Sequence, residues 1–134
     1  MTIELAWRGE FTNDEVNALH ADAFDHRIYS TAEWDWRRLV ERHSLGWVVA
    51  REVDALVGFV NVPWDGLVHA WIQDVMVAMP SRHRGVGTRL IGVSRDEARR
   101  AGCEWLHVDF DPDLERFYRA CGFSPTGAGL IALR

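Results

Sequence analysis

The chain has 134 residues, 48% of them apolar and 26% charged, which is the make-up of one compact globular domain, residues 1–134, with its own core. No window approaches the roughly 20 apolar residues of a membrane span, and "MTIELAWRGEFTND" lacks the basic-then-apolar order of a signal peptide, so the expected location is cytoplasmic with no membrane partner. A formal net charge of −5 disfavours nucleic acid as a partner, and Cys103 and Cys121 are too few and too poorly spaced for a disulfide framework or a metal site, which makes them small core residues.

"IELAWRG" alternates as a first strand. "TNDEVNALHADAF" follows with Thr12, Asn13 and Asp14 as candidate caps and Val16, Leu19 and Ala23 on one face, a helix. "STAEWDWRRLVERHS" carries Ser30 and Glu33 at capping-box spacing, with Trp36, Leu39 and Val40 as the apolar stripe of a second helix. "GWVVARE" and "ALVGFVNVPW" form a hairpin about Val53 and Asp54. "LVHAWIQDVMVAM" is a longer strand, and "VGTRLIGVSRDEARRA" a helix that stops at Gly102. "CEWLHVDF" is a strand. "DPDLERFYRACG" is a helix with Asp111 as N-cap, Pro112 at its first position and Gly122 at its end, and "GLIALR" is a last strand. The order β-α-α-β-β-β-α-β-α-β describes an α/β (α+β) layered domain, a mixed sheet with helices on both faces. Residues 67–110 form a βαβ unit, so its two strands are expected to be parallel neighbours.

Between the long strand and its helix lies "PSRHRGVGTRL". An uncapped helix N-terminus presents free N–H groups and partial positive charge, glycines allow an anion to come close, and Arg82, His83 and Arg84 add charge. This is the layout of a pyrophosphate site. It lacks the Lys-Ser/Thr ending of a Walker loop and the first glycine of a dinucleotide fingerprint. Taken alone, the six residues "RHRGVG" equally describe a strand-to-helix turn with solvated arginines.

The wider stretch "DVMVAMPSRHRGVGTRL" resembles motif A of the GCN5-related N-acetyltransferase (GNAT) family, [Q/R]-x-x-G-x-[G/A], through Arg82, Gly85 and Gly87. "VDFDPDLERFYRACGF" resembles the family's second signature through Asp111, Tyr118, Gly122 and Phe123. The match is strong from about Val68 to Phe123. His83 stands where the family often has Gly, and Asp111 where it often has Asn. The resemblance implies a GNAT-like, mostly antiparallel central sheet with a splayed parallel strand pair. It implies acetyl-CoA as cosubstrate and a small-molecule or peptide amine as acceptor, attacked directly in a ternary complex, with no metal. By the same carry-over the pyrophosphate binds the loop Arg82, His83, Arg84, Gly85, Val86, Gly87 and Thr88. Val75, Met76 and Val77 offer backbone to the pantetheine arm, with the N–H near Val77 for the thioester oxygen, and Asp111 lies beside the cofactor. The short C-terminus implies that part of the last hairpin is missing or comes from the partner of a homodimer.

Acetyl transfer to an amine needs a base and an acid. Tyr118 stands at the family's position for protonating the leaving thiolate, although Leu114, Phe117, Tyr118 and Cys121 also make a core stripe. Asp74, which breaks the apolar run "AWIQDVMVAM", and His107, on the strand after the helix, are the two candidate bases, with a bound water as the alternative. Asp109 shares the strand parity of His107. Trp64, Asp65, His69 and Trp71, with Trp34 and Trp36, mark the acceptor side, where aromatic faces and carboxylates suit a cationic amine. A non-catalytic acyl-CoA-binding sensor is the alternative function, since the phosphate loop serves both. Nucleic-acid binding through Arg82, Arg84, Arg89, Arg95, Arg99 and Arg100 is weakened by Asp96 and Glu97 between them.

Overall fold

The computed structural model describes residues 2–134. β1 (Ile3–Trp7), α1 (Asn13–Phe24) and α2 (Trp36–His43) precede three long strands, β2 (Ser44–Glu52), β3 (Ala55–Pro63) and β4 (His69–Val77). α3 (Val86–Arg100), β5 (Trp105–Val108) and α4 (Glu115–Ala120) follow. The sheet has five strands in the order β1-β2-β3-β4-β5. Every pairing is antiparallel except β4 with β5, the parallel pair expected from the βαβ unit.

Local chemistry accounts for the ends of these elements. Thr12 caps α1, its hydroxyl accepting from the Glu15 N–H while the Glu15 carboxylate accepts from the Thr12 N–H. The same carboxylate grips Arg51 of β2 through two oxygens at 2.7 and 2.9 Å, and this pairing holds its pKa at about 2. Val53 (φ 56°) makes the tight turn between β2 and β3. Asp35 caps α2, its side chain accepting from the Arg38 N–H.

That last cap corrects one expectation. Ser30 and Glu33 do exchange capping hydrogen bonds, but they close an isolated turn, and α2 begins only at Trp36. Two further expectations change. Asp111 is extended and makes no side-chain cap, and a 3₁₀ turn at Pro112–Leu114 precedes α4. Residues 122–134 form no strand, and Leu130, Ile131 and Leu133 are exposed. "GLIALR" has strand composition but pairs with neither outer edge of the sheet, and an unpaired strand is not stable in water.

The sheet buries both faces. Val48, Ala50, Val60, Val62, Ala70 and Ile72 pack on α3 through Val86, Leu90 and Ile91. Val49, Phe59 and Met76 pack on α1 and α2 through Val16, Leu19, Trp36 and Val40. Cys103 and Cys121 are free thiols at the edge of the α3-side core.

Candidate active site

β4 does not keep one register along its length. Phe59 faces Met76 and Asn61 faces Gln73, so two steps on β3 match three on β4. The extra residue is a β-bulge, and within it Asp74 adopts φ 59°. Asp is one of the few residues that enters this left-handed region with a small penalty. The bulge reverses the parity of the strand. Ala70 and Ile72 face α3, whereas Met76, an even number of residues on, faces α1 and α2. It also turns Asp74 into a cleft.

Parallel pairing of β4 with β5 ends at Ile72 and Val108, and β4 runs on alone to Val77. The Ala78 N–H donates to Val57 O (2.8 Å). Hydrogen-bonded pairs alternate along an antiparallel ladder, so Val77, opposite Gly58, turns its N–H and C=O away from β3. The edge of β4 from Gln73 to Val77 is therefore paired with no strand, among the described residues, on the side where β5 has parted from it, and the Arg82 guanidinium reaches Val77 O there.

A cleft of about 660 Å³ opens at this fork. Its floor includes Trp71, Asp74 and Val75 of β4; Asp109, Asp111 and Tyr118 line the β5–α4 side; His20, Phe24 and Trp34 form the opposite wall. Burial pushes the Asp74 carboxyl above the usual carboxylate range, and the Asn61 side chain partly opposes this. Asn61 Oδ1 accepts from the Ser44 hydroxyl, while Asn61 Nδ2, fully buried, makes no hydrogen bond of good geometry among the described residues. Tyr118 is 6% exposed, stacked on Phe110 at 4.9 Å and met edge-on by Phe117 and Phe123. Burial first, then the nearby Cys121, push its phenol up, so it stays protonated at neutral pH.

α3 begins at Gly85 (φ 77°) without a side-chain cap. The Arg89 N–H is the first to find a helical acceptor, Gly85 O at 3.1 Å, so the N–H groups before it point out of the helix end. A Cβ on Gly85 would meet nothing within 4 Å, so the approach to this terminus is open, as an anionic diphosphate requires. Gly87 has a different reason to be small. A Cβ there would lie 3.2 Å from Phe117 Cζ, so the glycine lets α4 pack against the start of α3.

The sequence model of the acetyltransferase (GNAT) family matches residues 8–123. The chain belongs to this family. Among curated GNAT-related proteins it is similar to the tRNA(Met) cytidine acetyltransferase TmcA of Pectobacterium atrosepticum, 34% identical over 61% of this chain and 12% of that one. It is likewise similar to glucosamine 6-phosphate N-acetyltransferase 1 of Oryza sativa subsp. japonica, 36% identical over 39% of this chain and 32% of that one. The chain thus spans about an eighth and a third of these relatives' lengths. In fold it matches the aminoglycoside N-acetyltransferase AAC(6')-Iy bound to a CoA bisubstrate analogue, with a TM-score of 0.77 at 15% identity, over 100% of this chain and 99% of that one.

Within this GNAT fold the residues singled out from the sequence divide. Asp74, Val75, Asp111 and Tyr118 line the one cleft. Val86, Gly87 and Thr88 form the first turn of α3 behind Gly85. His107 is not among the residues lining the cleft. It is exposed, stacked on Trp71 at 4.9 Å, and its Nε2 shares a 2.7 Å hydrogen bond with His69 Nδ1. Arg82 turns back from the loop mouth, its guanidinium donating to Ala23 O (3.0 Å) and, at 3.4 Å, to Val77 O. Arg84 pairs with Glu52 at 2.8 Å, and His83 is exposed at φ 64°. Trp36 is core rather than cleft. Its indole N–H donates to Asn17 Oδ1 (2.8 Å), and the Asn17 amide donates to Trp34 O (3.2 Å), which fixes Trp34 at the cleft mouth. Asn61, His20 and Phe24 escaped the sequence reading. For Asn61 the available signal was a polar residue within "ALVGFVNVPW"; for the others only the fold brings α1 to the fork.

Proposed function

We propose that this chain is an N-acetyltransferase that moves an acetyl group from acetyl-CoA to a primary amine by direct attack. The reading rests on one observation above all: the β4 bulge puts the Asp74 carboxylate in the same cleft as the Tyr118 phenol, at the point where β4 and β5 part. Acetyl-CoA supplies the activated acyl group. The N–H groups at the start of α3 hold its diphosphate, helped by the local positive end of the helix. The open edge of β4 pairs with the pantetheine amides, and the Val77 N–H donates to the acetyl carbonyl oxygen as charge builds there.

Asp74 takes one proton from the acceptor ammonium, whose pKa is on the order of 10, freeing the lone pair for attack. A raised carboxyl pKa narrows the gap between base and ammonium and makes that transfer less uphill. The N–C bond forms as the C–S bond breaks, and Tyr118 gives its hydroxyl proton to the departing sulfur. The second proton, lost by the new amide nitrogen, passes through solvent to restore the Tyr118 phenol, while Asp74 returns its proton to solvent. An exposed histidine outside the cleft is the weaker candidate for the base, so Asp74 is preferred to His107.

The test is free-thiol release from acetyl-CoA over a panel of amines, for the parent and for Asp74→Asn. Asn keeps the shape and tolerates the left-handed φ, so folding is preserved. The buried carboxyl's raised pKa means that its ionised form weakens the native state as pH rises, so the Asn variant should be no less stable than the parent at neutral pH. The parent's kcat/KM should fall on an acid limb set above the usual carboxylate range, and Asp74→Asn should lose that limb together with about 10²-fold or more of the rate. An unchanged rate and pH profile in Asp74→Asn would overturn the assignment of the base. Acetyl-CoA binding with no thiol release for any amine would favour an acyl-CoA-binding module instead.

A further inference from the structure

The acceptor half of the cleft has a sign. Its titratable carboxylates are Asp74, Asp109 and Asp111, and neither lysine nor arginine lines it. Asp109 and Asp111 are exposed at the cleft mouth. Opposite them stand exposed aromatic rings, although His107 stacks on one face of Trp71 and Tyr29 on one face of Trp34. Phe24 is 51% and Trp34 47% exposed, and Trp71 lies on the floor between the two walls. Large apolar rings left open beside carboxylates form a surface that favours a cation with an alkyl body: the rings attract it through their faces, the carboxylates through their charge. At the inner end the buried Asn61 side chain partly offsets the rise that burial imposes on the Asp74 carboxyl.

We propose that the acceptor is an aliphatic diamine or polyamine, one amine reaching Asp74 and a second, still charged, held between the faces of Trp34 and Trp71 and the carboxylates of Asp109 and Asp111. The proposal rests on the transferase reading above and narrows it. A phosphorylated amino sugar and a tRNA, the acceptors named for the two curated relatives, both carry phosphate, and a cleft lined by carboxylates disfavours phosphate. A simple monoamine has nothing to place at the outer carboxylates and loses that half of the binding.

The experiment compares kcat/KM, read as thiol release with acetyl-CoA, for putrescine and spermidine against n-butylamine and glucosamine 6-phosphate. Putrescine and spermidine should each exceed the monoamine by about tenfold or more, the worth of one ion pair with ring-face contacts. Asp109→Asn should cut the ratio of putrescine to n-butylamine several-fold, and Trp34→Leu should do so too. A residue that only supports the fold would change both substrates alike and leave the ratio where it was. Equal rates for putrescine and n-butylamine, or a preference for the phosphosugar, would overturn the proposal while leaving the transferase reading intact. No thiol release with any amine would overturn the transferase reading itself. The chain's 15 basic residues are all arginine, so no lysine ε-amine of the enzyme competes for acetyl groups in these assays.

Discussion

Tyr118 carries two loads at once. Its ring fills the gap between Phe110, Phe117 and Phe123, and its hydroxyl belongs to a residue that lines the cleft. Tyr118→Phe separates the loads, because it keeps every ring contact and removes only the O–H. Stability should change by no more than about 1 kcal/mol, the net worth of a single hydrogen bond. If the phenol protonates the leaving sulfur, kcat should fall roughly 10²-fold while acetyl-CoA affinity holds. Single-turnover kinetics check this without interference from product release, and an unchanged chemical step would reduce Tyr118 to a packing residue. Asp74 differs in kind. It contributes nothing to the core, sits in a backbone conformation that most residues avoid, and keeps a buried carboxyl with weak support. A position that costs stability without a structural return is a candidate for function.

At the scale of elements, α1 and α2 end in side-chain caps from Thr12 and Asp35, whereas α3 begins on Gly85 with none. Its free N–H groups are stabilised by nothing on their own helix, so an anion is the natural cap. Acetyl-CoA should therefore stabilise the fold, by about 2.7 kcal/mol at 100-fold above its dissociation constant. Most side chains at Gly85 would be strained by φ 77°, which confounds a simple block of the site. Asn tolerates that region, so Gly85→Asn should fold with near-parental stability and lose most of the acetyl-CoA-induced rise in Tm. An undiminished rise would place the diphosphate elsewhere. The neighbouring Gly87 is held small by Phe117, which packs the first turn of α3 against the short helix that carries Tyr118.

Across the whole molecule, two apolar layers sandwich the sheet and the cleft opens where β4 and β5 separate. Residues 127–134 take no part in either layer, although Leu130 lies at the rim of the cleft. They are exposed throughout and form no regular element. Removing them should change the unfolding free energy by no more than about 0.5 kcal/mol, as for surface changes that touch nothing buried. Denaturant melts of the shortened chain check this, and a loss of about 2 kcal/mol or more would mean that the segment packs on the domain in solution. No helix among the described residues is long and apolar enough to cross a membrane.

What could be read from residue order alone was local chemistry. The cap of α1 among Thr12, Asn13 and Asp14, the Val53 turn, the glycine that ends α3 and the basic glycine loop each depend on a few neighbouring residues, so each was legible without the fold. The parallel β4–β5 pair also followed, because a strand-helix-strand run has few ways to close. The Ser30–Glu33 box was legible too, yet it closed a turn rather than a helix, since Asp35 and the burial of Trp36 offered a better start. "GLIALR" has the composition of a strand, but pairing needs a partner edge that composition does not contain. The bulge at Asp74 was out of reach for the same reason. It is a mismatch of register between β3 and β4, a property of two strands together, and it decides which way the carboxylate points. Asp74 and Tyr118 stand 44 positions apart in the sequence (118 − 74) and line one cleft only because β4 and β5 part between them. The residue types of the site were a matter of sequence; their convergence was decided by long-range strand pairing, which no local pattern encodes.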